Sequence, residues 1–134
     1  MTTDPSAPFT GGEAEGGARL VVLASGRGSN LQAILDAVAA GRLDARVVLV
    51  VSNVADAGAL ERARRAGVAT ALVEAPPPAP GEDRRAARRA YDRRLAEVVA
   101  RAAPDWVVLA GWMRILSSAF LDRFPDRVVN LHPA

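Results

Sequence analysis

The sequence predicts an α/β fold, a Rossmann-like, doubly wound sheet that is mostly parallel. Short apolar runs without alternation recur along the chain, as is typical of strands buried on both faces of a parallel sheet. Segments with helical spacing separate these runs, and repeated strand–helix units of this kind connect with a right-handed crossover. Ligands of such sheets bind beyond the carboxyl ends of the strands, so the loops at those ends are the candidate site.

A chain of 134 residues, half of them hydrophobic, is long enough for one domain with a real core. Residues 1–18 are rich in Gly, Pro, Ala, Thr and acidic residues and lack the basic-then-apolar pattern of a signal peptide. This composition predicts a disordered tail. The predicted domain therefore spans residues 19–134.

Composition excludes several classes of protein. The chain has no cysteine, which excludes disulfides, a thiolate nucleophile and zinc–thiolate sites and fits a reducing cytoplasm. With one histidine and no metal-ligand spacing, no bound metal is expected. A net charge of +2 argues only weakly for nucleic acid as the partner, and no apolar run approaches the ~18 residues of a membrane span.

The first unit is a strand at 20–24, a loop at 25–30 and a helix. Four apolar side chains at i, i+3, i+4 and i+7 give that helix one buried stripe: Leu31, Ile34, Leu35 and Val38. Ser29 or Asn30 is expected to cap its start, and Gly41 is expected to end it.

The loop at 25–30 has the residues that an anion site needs. Gly26 and Gly28 allow a positive φ and a close approach of backbone N–H groups, and the helix start adds unpaired donors. The Ser29 hydroxyl and Asn30 amide complete a cradle for a single phosphate. A dinucleotide loop would have a third Gly where Leu31 stands, and a triphosphate loop needs a lysine, which the chain lacks. A purely structural strand-to-helix turn remains the alternative.

The next elements have weaker individual signals. They are a buried strand at 47–51, a short helix around 60–66 closed by Gly67, a weaker strand at 68–73 and a proline-rich surface loop at 76–81.

A long helix is expected from about residue 83 to residue 102. Its buried stripe consists of Tyr91, Leu95, Val98, Val99 and Ala102. Its first half carries six arginines, several at i, i+4: Arg84, Arg85, Arg88, Arg89, Arg93 and Arg94. Two interpretations stay open. One is a solvated face partly balanced by four acids, Glu82, Asp83, Asp92 and Glu97, and the other is a patch that faces an anion.

The last unit begins after Pro104 with a strand at 105–110. An unusually apolar connection follows at 111–116, then a short helix from Ser117 or Ser118 through Leu121 and a final strand at 127–131. By default, the apolar members of this connection are core residues that border a turn.

Asn130 and His132 are two residues apart at the end of the final strand, so they share one face of it. An amide donor and an imidazole together can polarise a carbonyl and move a proton. A packed or capping histidine is the commoner case, and both interpretations stay open on these residues alone.

Three separate stretches together resemble one family, the glycinamide ribonucleotide formyltransferases of purine synthesis. They are 25–33 (SGRGSNLQA), 110–117 (AGWMRILS) and 130–133 (NLHP), and 52–57 and 60–63 also match. The resemblance covers about residues 19–134. The Gly-Ser-Asn loop separates this family from the related methionyl-tRNA formyltransferase and formyltetrahydrofolate deformylase.

The resemblance implies transfer of the formyl group of 10-formyltetrahydrofolate, a co-substrate, to the amine of glycinamide ribonucleotide in the cytoplasm. It implies small-molecule partners without metal, nucleic acid or membrane, and it leaves room for a homodimer. The implied phosphate-binding residues are Gly28, Ser29 and Asn30. The implied folate contacts are Met113, Arg114, Ile115, Leu116, Asn130 and either Arg88 or Arg89. The implied catalytic residues are Asn130 and His132.

The family's pattern continues past His132 and Pro133 to a third catalytic residue, an Asp that supports the imidazole. Without it, an imidazole with the ordinary pKa of about 6.5 is mostly neutral at pH 7. We therefore expect the 134-residue chain to be an incomplete form, nearly inactive alone and prone to aggregate at an open sheet edge. The alternatives are a noncatalytic phosphate- or nucleotide-binding domain or fragment, and a nucleic-acid binder that uses the arginines. A nicotinamide-dependent domain lacks its third Gly and ribose acid.

Overall fold

A computed structural model describes residues 17–131 and has one five-stranded parallel sheet with helices on both faces. The strands are β1 (Ala18–Leu23), β2 (Ala45–Ser52), β3 (Thr70–Leu72), β4 (Trp106–Ala110) and β5 (Val128–Leu131). The helices are α1 (Ser29–Ala39), α2 (Gly58–Arg65), α3 (Arg84–Arg101) and α4 (Ser118–Leu121). The strand order is β3-β2-β1-β4-β5, so the chain winds outward from β1 in both directions. The predicted fold class is confirmed.

The central strand β1 is buried on both faces because its side chains alternate between two cores. Leu20 and Val22 pack in the core beneath α1 and α2. Val21 and Leu23 pack in the other core, beneath α3 and α4. The apolar run without alternation was therefore a correct sign of a strand covered on two sides.

Most helices and strands end within a few residues of the positions predicted from the sequence. Gly41 has a φ of 77° directly after the α1 C-cap, and Gly67 has a φ of 75° after α2, as expected of residues that end helices. The third strand is only Thr70–Leu72, shorter than the predicted 68–73, because it pairs with β2 alone. Ala18 is already the first residue of β1, and residues 1–16 of the predicted tail lie outside the described residues.

Within residues 17–131, no helix is both long enough and apolar enough to cross a membrane. Parallel pairing brings the carboxyl ends of β1, β4 and β5 side by side at one edge of the sheet. The candidate site lies at that edge.

Candidate functional site

The loop at 25–30, here called the phosphate loop, takes its shape from helix α2. Gly28 has a φ of 84°, and a Cβ on it would lie 2.7 Å from the Ala59 Cα and 2.9 Å from the Ala59 Cβ. The Ala59 N–H donates to the Gly26 carbonyl over 3.0 Å. The Arg62 Nε–H donates to the Arg27 carbonyl over 2.7 Å. The loop is therefore held by the protein itself and needs no ligand to set its shape.

The prediction that Ser29 or Asn30 caps helix α1 is wrong. The helix begins at Ser29 and its N-cap is Gly28, which forms no side-chain cap. The reason is the close contact with α2, which leaves space for a glycine and requires its left-handed backbone. Since Gly28 has no side chain, the first-turn N–H groups receive no cap from it and point to the open end of an 11-residue helix.

The connection at 111–116 follows β4 at the neighbouring strand end. Met113 and Ile115 are both 77% exposed, so the default interpretation of them as core residues is wrong. Leu116 does pack against the core between the sheet and α3. The Trp112 Nε1 and Arg114 Nε are buried without a hydrogen-bond partner among residues 17–131. Exposed apolar side chains beside unsatisfied donors are typical of a surface that receives a ligand.

Ser25 joins the phosphate loop to this connection. Its hydroxyl donates to the Asn53 Oδ1 over 2.7 Å and accepts from the Met113 N–H over 2.9 Å. Its own N–H donates to the Gly111 carbonyl over 3.0 Å. Ser25 is only 7% exposed, so these hydrogen bonds are largely shielded from water. The ends of β1, β2 and β4 thus meet at one side chain.

Two residues of helix α3 contact the connection at 111–116 and the residue that follows it. The Arg114 guanidinium lies over the Tyr91 ring, 4.1 Å from its centroid, and the Tyr91 hydroxyl donates to the Val73 carbonyl over 2.6 Å. Burial raises the pKa of Tyr91 to about 12, although the nearby Arg114 charge opposes the rise. Asp92 is fully buried, and its Oδ2 accepts from the Ser117 N–H over 2.7 Å and from the Ser117 hydroxyl over 2.6 Å. Adjacent residues of α3 therefore fix both the middle and the end of the connection.

An arginine-lined cavity of about 310 Å³ lies between α3 and the proline-rich loop. Its charged lining consists of Arg84, Arg88, Arg94, Arg114 and a single acid, Glu82. This lining gives the cavity a positive potential and suits an anionic ligand group. Arg88 lines the cavity, whereas Arg89 does not, which favours Arg88 of the two candidates.

The four acids expected to balance the arginines of α3 are engaged elsewhere. The Glu82 carboxylate accepts from the Ala79 N–H, Asp83 caps the helix, and Asp92 bonds Ser117. Glu97 pairs with Arg123 over 3.3 Å. None of these acids forms a salt bridge within residues 17–131 with the six arginines of the first half of α3. All six arginines are exposed, as a solvated face predicts, and three of them (Arg84, Arg88 and Arg94) also line the cavity, which favours an anion-facing role for those three.

Asn130 lies on β5 opposite Leu109 of β4, and its side chain is exposed. It is therefore not turned inward among apolar side chains, as a structural residue would be. His132 lies outside the described residues, so its catalytic role stays a prediction. Among residues 17–131, no group of three or more acidic or imidazole side chains is placed to hold a metal ion.

Sequence reasoning did not find Ser25, Arg62 or the role of Asp92. For Asp92 a signal existed, because it lies three and four residues before the buried Leu95 and Ala96, on the apolar side of α3. A carboxylate at such a position needs buried donors. For Ser25 and Arg62 no local signal existed, since their partners lie 28 to 88 residues away.

Comparison with known proteins places this geometry in a family. Residues 18–134 match the family described as Formyl transferase. The curated phosphoribosylglycinamide formyltransferase of Escherichia coli is 49% identical over 115 residues, which cover 86% of this chain and 51% of the relative. That of Schizosaccharomyces pombe is 45% identical over 122 residues, covering 87% and 59%. The chain therefore spans between half and three-fifths of the length of these relatives.

Comparison with solved structures agrees with this family match. The glycinamide ribonucleotide transformylase 1 of Symbiobacterium toebii superposes with a TM-score of 0.75 at 45% identity, covering 87% of this chain and 52% of its own. A formyltetrahydrofolate deformylase of Pseudomonas putida shares the fold, with a TM-score of 0.72 at 22% identity. The resemblance inferred from the three motifs is confirmed, and this protein belongs to the formyl transferase family.

Proposed function

We propose that the protein transfers the formyl group of 10-formyltetrahydrofolate to the amine of glycinamide ribonucleotide in purine synthesis. The observation that carries this proposal is the joining of two unlike surfaces at one sheet edge. A preformed, glycine-containing loop at a helix start lies beside an exposed apolar connection, and Ser25 bonds one to the other. Relatives named as phosphoribosylglycinamide formyltransferases support the choice of substrates.

The ribonucleotide would bind through its phosphate. Gly28, Ser29 and Asn30 supply backbone N–H groups, a hydroxyl and an amide at the start of α1, where the helix dipole favours an anion. Ser29 is exposed and Asn30 is half-buried, so both side chains are accessible to a ligand.

The folate would bind along the connection. Met113, Ile115 and Leu116 offer apolar contact to a flat pterin. The cavity lined by Arg88 and Arg114 suits the anionic end of the same molecule, because four arginines face one acid there.

In the proposed reaction the ribonucleotide's amine nitrogen attacks the formyl carbon. A new C–N bond forms, and the bond from the formyl carbon to folate N10 breaks through a tetrahedral intermediate. Asn130 donates a hydrogen bond to the oxyanion. Protonated His132 donates a second one and moves the proton lost by the amine to N10, which leaves tetrahydrofolate as the other product.

Turnover measured with purified protein tests the proposal. Asn130→Ala and His132→Ala should each lower kcat about 100-fold or more, the usual cost of one oxyanion donor, with ribonucleotide binding retained. Unchanged turnover in either variant would remove that residue from the mechanism. The assay is run on the 134-residue chain and on a chimera in which the E. coli relative's own sequence continues after Ala134. We expect turnover in the chimera and little in the chain alone, and absence of turnover in both contradicts the proposed reaction.

Binding experiments separate the proposal from its alternatives. A noncatalytic nucleic-acid binder would give a gel shift that weakens steeply with salt, because phosphate contacts release counterions. A nicotinamide-dependent domain would saturate NADH fluorescence on titration. We expect neither, since the loop is built for a single phosphate and the arginines line a cavity of small-molecule size.

A further inference from the structure

We infer that Ser25 is a positioning residue that transmits occupancy of the phosphate loop to the 111–116 connection. This inference rests on the proposed function of those two segments as the two substrate sites. It goes beyond that function because Ser25 itself touches neither substrate in the proposed scheme.

The first argument is the direction of the hydrogen bonds. The Asn53 Oδ1 only accepts, so the Ser25 hydroxyl must give its single proton to it, over 2.7 Å. The hydroxyl oxygen then has only lone pairs left for the Met113 N–H, at 2.9 Å. Each bond fixes the polarity of the next, and Ser25 itself is only 7% exposed, so its hydroxyl is largely shielded from water.

The second argument is that Ser25 forms hydrogen bonds with the connection at two residues. Its N–H donates to the Gly111 carbonyl while its hydroxyl accepts from the Met113 N–H, so the residues on both sides of Trp112 are held. The backbone bond survives any side-chain substitution. A change at Ser25 therefore removes the hydroxyl link and leaves the strand pairing in place.

The third argument is that the link is unique in the described part of the chain. Among the hydrogen bonds of residues 17–131, no other side chain joins the phosphate loop to residues 111–117. Gly28, where the phosphate is proposed to bind, lies three positions after Ser25 in the chain. Transfer between two ligands requires the reacting atoms within about 3.5 Å, so a link that sets the spacing of their two surfaces governs the reaction geometry.

The test follows one backbone N–H. The chain contains only two methionines, Met1 and Met113, and the N-terminal amine of Met1 exchanges too fast to observe. Isotope-labelled methionine therefore reports on the Met113 N–H alone in an NMR correlation spectrum. Ribose 5-phosphate is titrated into the labelled 134-residue chain, and its affinity is measured separately by calorimetry.

In the wild-type chain we expect the Met113 signal to move along the same saturation curve as the calorimetric binding. In Ser25→Ala, phosphate binding should persist while the Met113 shift falls to less than about a fifth, as loss of a coupling of ordinary size predicts. Ser25→Cys keeps a similar size with a weaker donor and acceptor and should give an intermediate shift. If Ser25→Ala does not fold, Ser25→Cys replaces it as the test variant.

Ser52→Ala is the matched control. Ser52 is a fully buried serine at the end of β2, and within residues 17–131 its Oγ accepts a hydrogen bond only from the local Val54 N–H, at 3.1 Å. Its loss should leave the Met113 response at the wild-type size. A full Met113 response in Ser25→Ala overturns the inference about Ser25 but not the proposed function. The absence of any Met113 response in the wild type, despite phosphate binding, does the same. If ribose 5-phosphate does not bind the wild-type chain, the proposed phosphate site itself fails, and the inference fails with it.

Discussion

Tyr91 lies beneath the Arg114 guanidinium, with the Arg114 Cζ 4.1 Å from the ring centroid, and donates its hydroxyl proton to the Val73 carbonyl. The residue thus joins α3, the segment after β3 and the connection after β4. An aromatic face suits a guanidinium, since the ring's negative quadrupole attracts the cation without competing for its N–H donors. Arg114 therefore makes this contact without using its N–H donors.

The pKa of about 12 at Tyr91 predicts a specific dependence of stability on pH. The folded-state pKa lies above the ordinary tyrosine value of 10.0, so the contribution of Tyr91 to stability is complete below pH 10 and is lost as the pH rises towards about 12. The chain has one tyrosine, so its ultraviolet titration reports on this group alone. A midpoint near pH 10 in the folded protein would contradict the buried hydrogen bond.

Tyr91→Phe tests the same hydrogen bond at neutral pH. It keeps the ring under Arg114 but leaves the Val73 carbonyl without its donor, which should lower the free energy of unfolding by about 1–3 kcal/mol. Urea denaturation measures the change. The loss of stability between pH 10 and 12 that is due to this group should also vanish in the variant.

Gly28→Ala should disrupt the phosphate loop. The new Cβ would lie 2.7 Å from the Ala59 Cα, and the φ of 84° is strained for alanine, so we expect a loss of about 2–4 kcal/mol in the free energy of unfolding. Gly41→Ala is the control, because Gly41 has a similar φ of 77° with nothing within 4 Å of the added Cβ. It should cost about 1 kcal/mol and leave ribose 5-phosphate binding intact. Equal losses in the two variants would show that α2 does not shape the loop.

Arg62→Ala should weaken phosphate binding because Arg62 braces the loop from α2. Its guanidinium bonds the Arg27 carbonyl at 2.7 Å and the Gln32 Oε1 at 3.3 Å. Loss of these charge-assisted bonds should reduce affinity for ribose 5-phosphate roughly 10-fold, measured by calorimetry. Arg65→Ala removes the same charge from the same helix, yet in the described part of the chain Arg65 bonds only Glu61, so the variant's affinity for ribose 5-phosphate should stay within about 2-fold of the wild type. Matching losses would assign the effect to net charge alone.

Asp92→Ala should be among the most destabilising changes in α3. It leaves the Ser117 N–H and hydroxyl without their buried acceptor, at a cost of about 3 kcal/mol in the free energy of unfolding. Asp83→Ala on the same helix removes an exposed N-cap and should cost about 1 kcal/mol. Chemical denaturation compares the two. An Asp92 variant no less stable than the Asp83 variant would show that Ser117 finds another partner.

Most of the fold could be predicted from the sequence because its signals are local. The unbroken apolar runs of β1 and β2 and the stripe of α1 each depend on a few neighbouring residues. The strand–loop–helix arrangement around residues 25–30 was predictable for the same reason, and phosphate binding there stays a proposal.

What the sequence could not show depends on distant partners. Gly28 replaces the expected cap because Ala59, from another helix, packs against it. Asp92 forms no salt bridge with the arginines of α3 within residues 17–131, because its buried carboxylate accepts hydrogen bonds from Ser117, 25 residues further on. Met113 and Ile115 are exposed, although apolar, because the backbone of their connection is fixed by Ser25 and α3. None of these contacts has a signature in local spacing.

The all-parallel sheet has a practical consequence for protein engineering. Since the proposed chemistry occupies the carboxyl edge, reporter domains or affinity tags inserted at the opposite edge should be tolerated. The connections at 40–44 and 66–69 are mostly exposed and suit such insertions. The connection at 102–105 does not suit an insertion, because Arg19 is hydrogen-bonded to both of its ends. The Arg19 backbone N–H donates to the Asp105 carboxylate over 2.7 Å, and the Arg19 guanidinium donates to the Ala102 carbonyl over 2.7 Å.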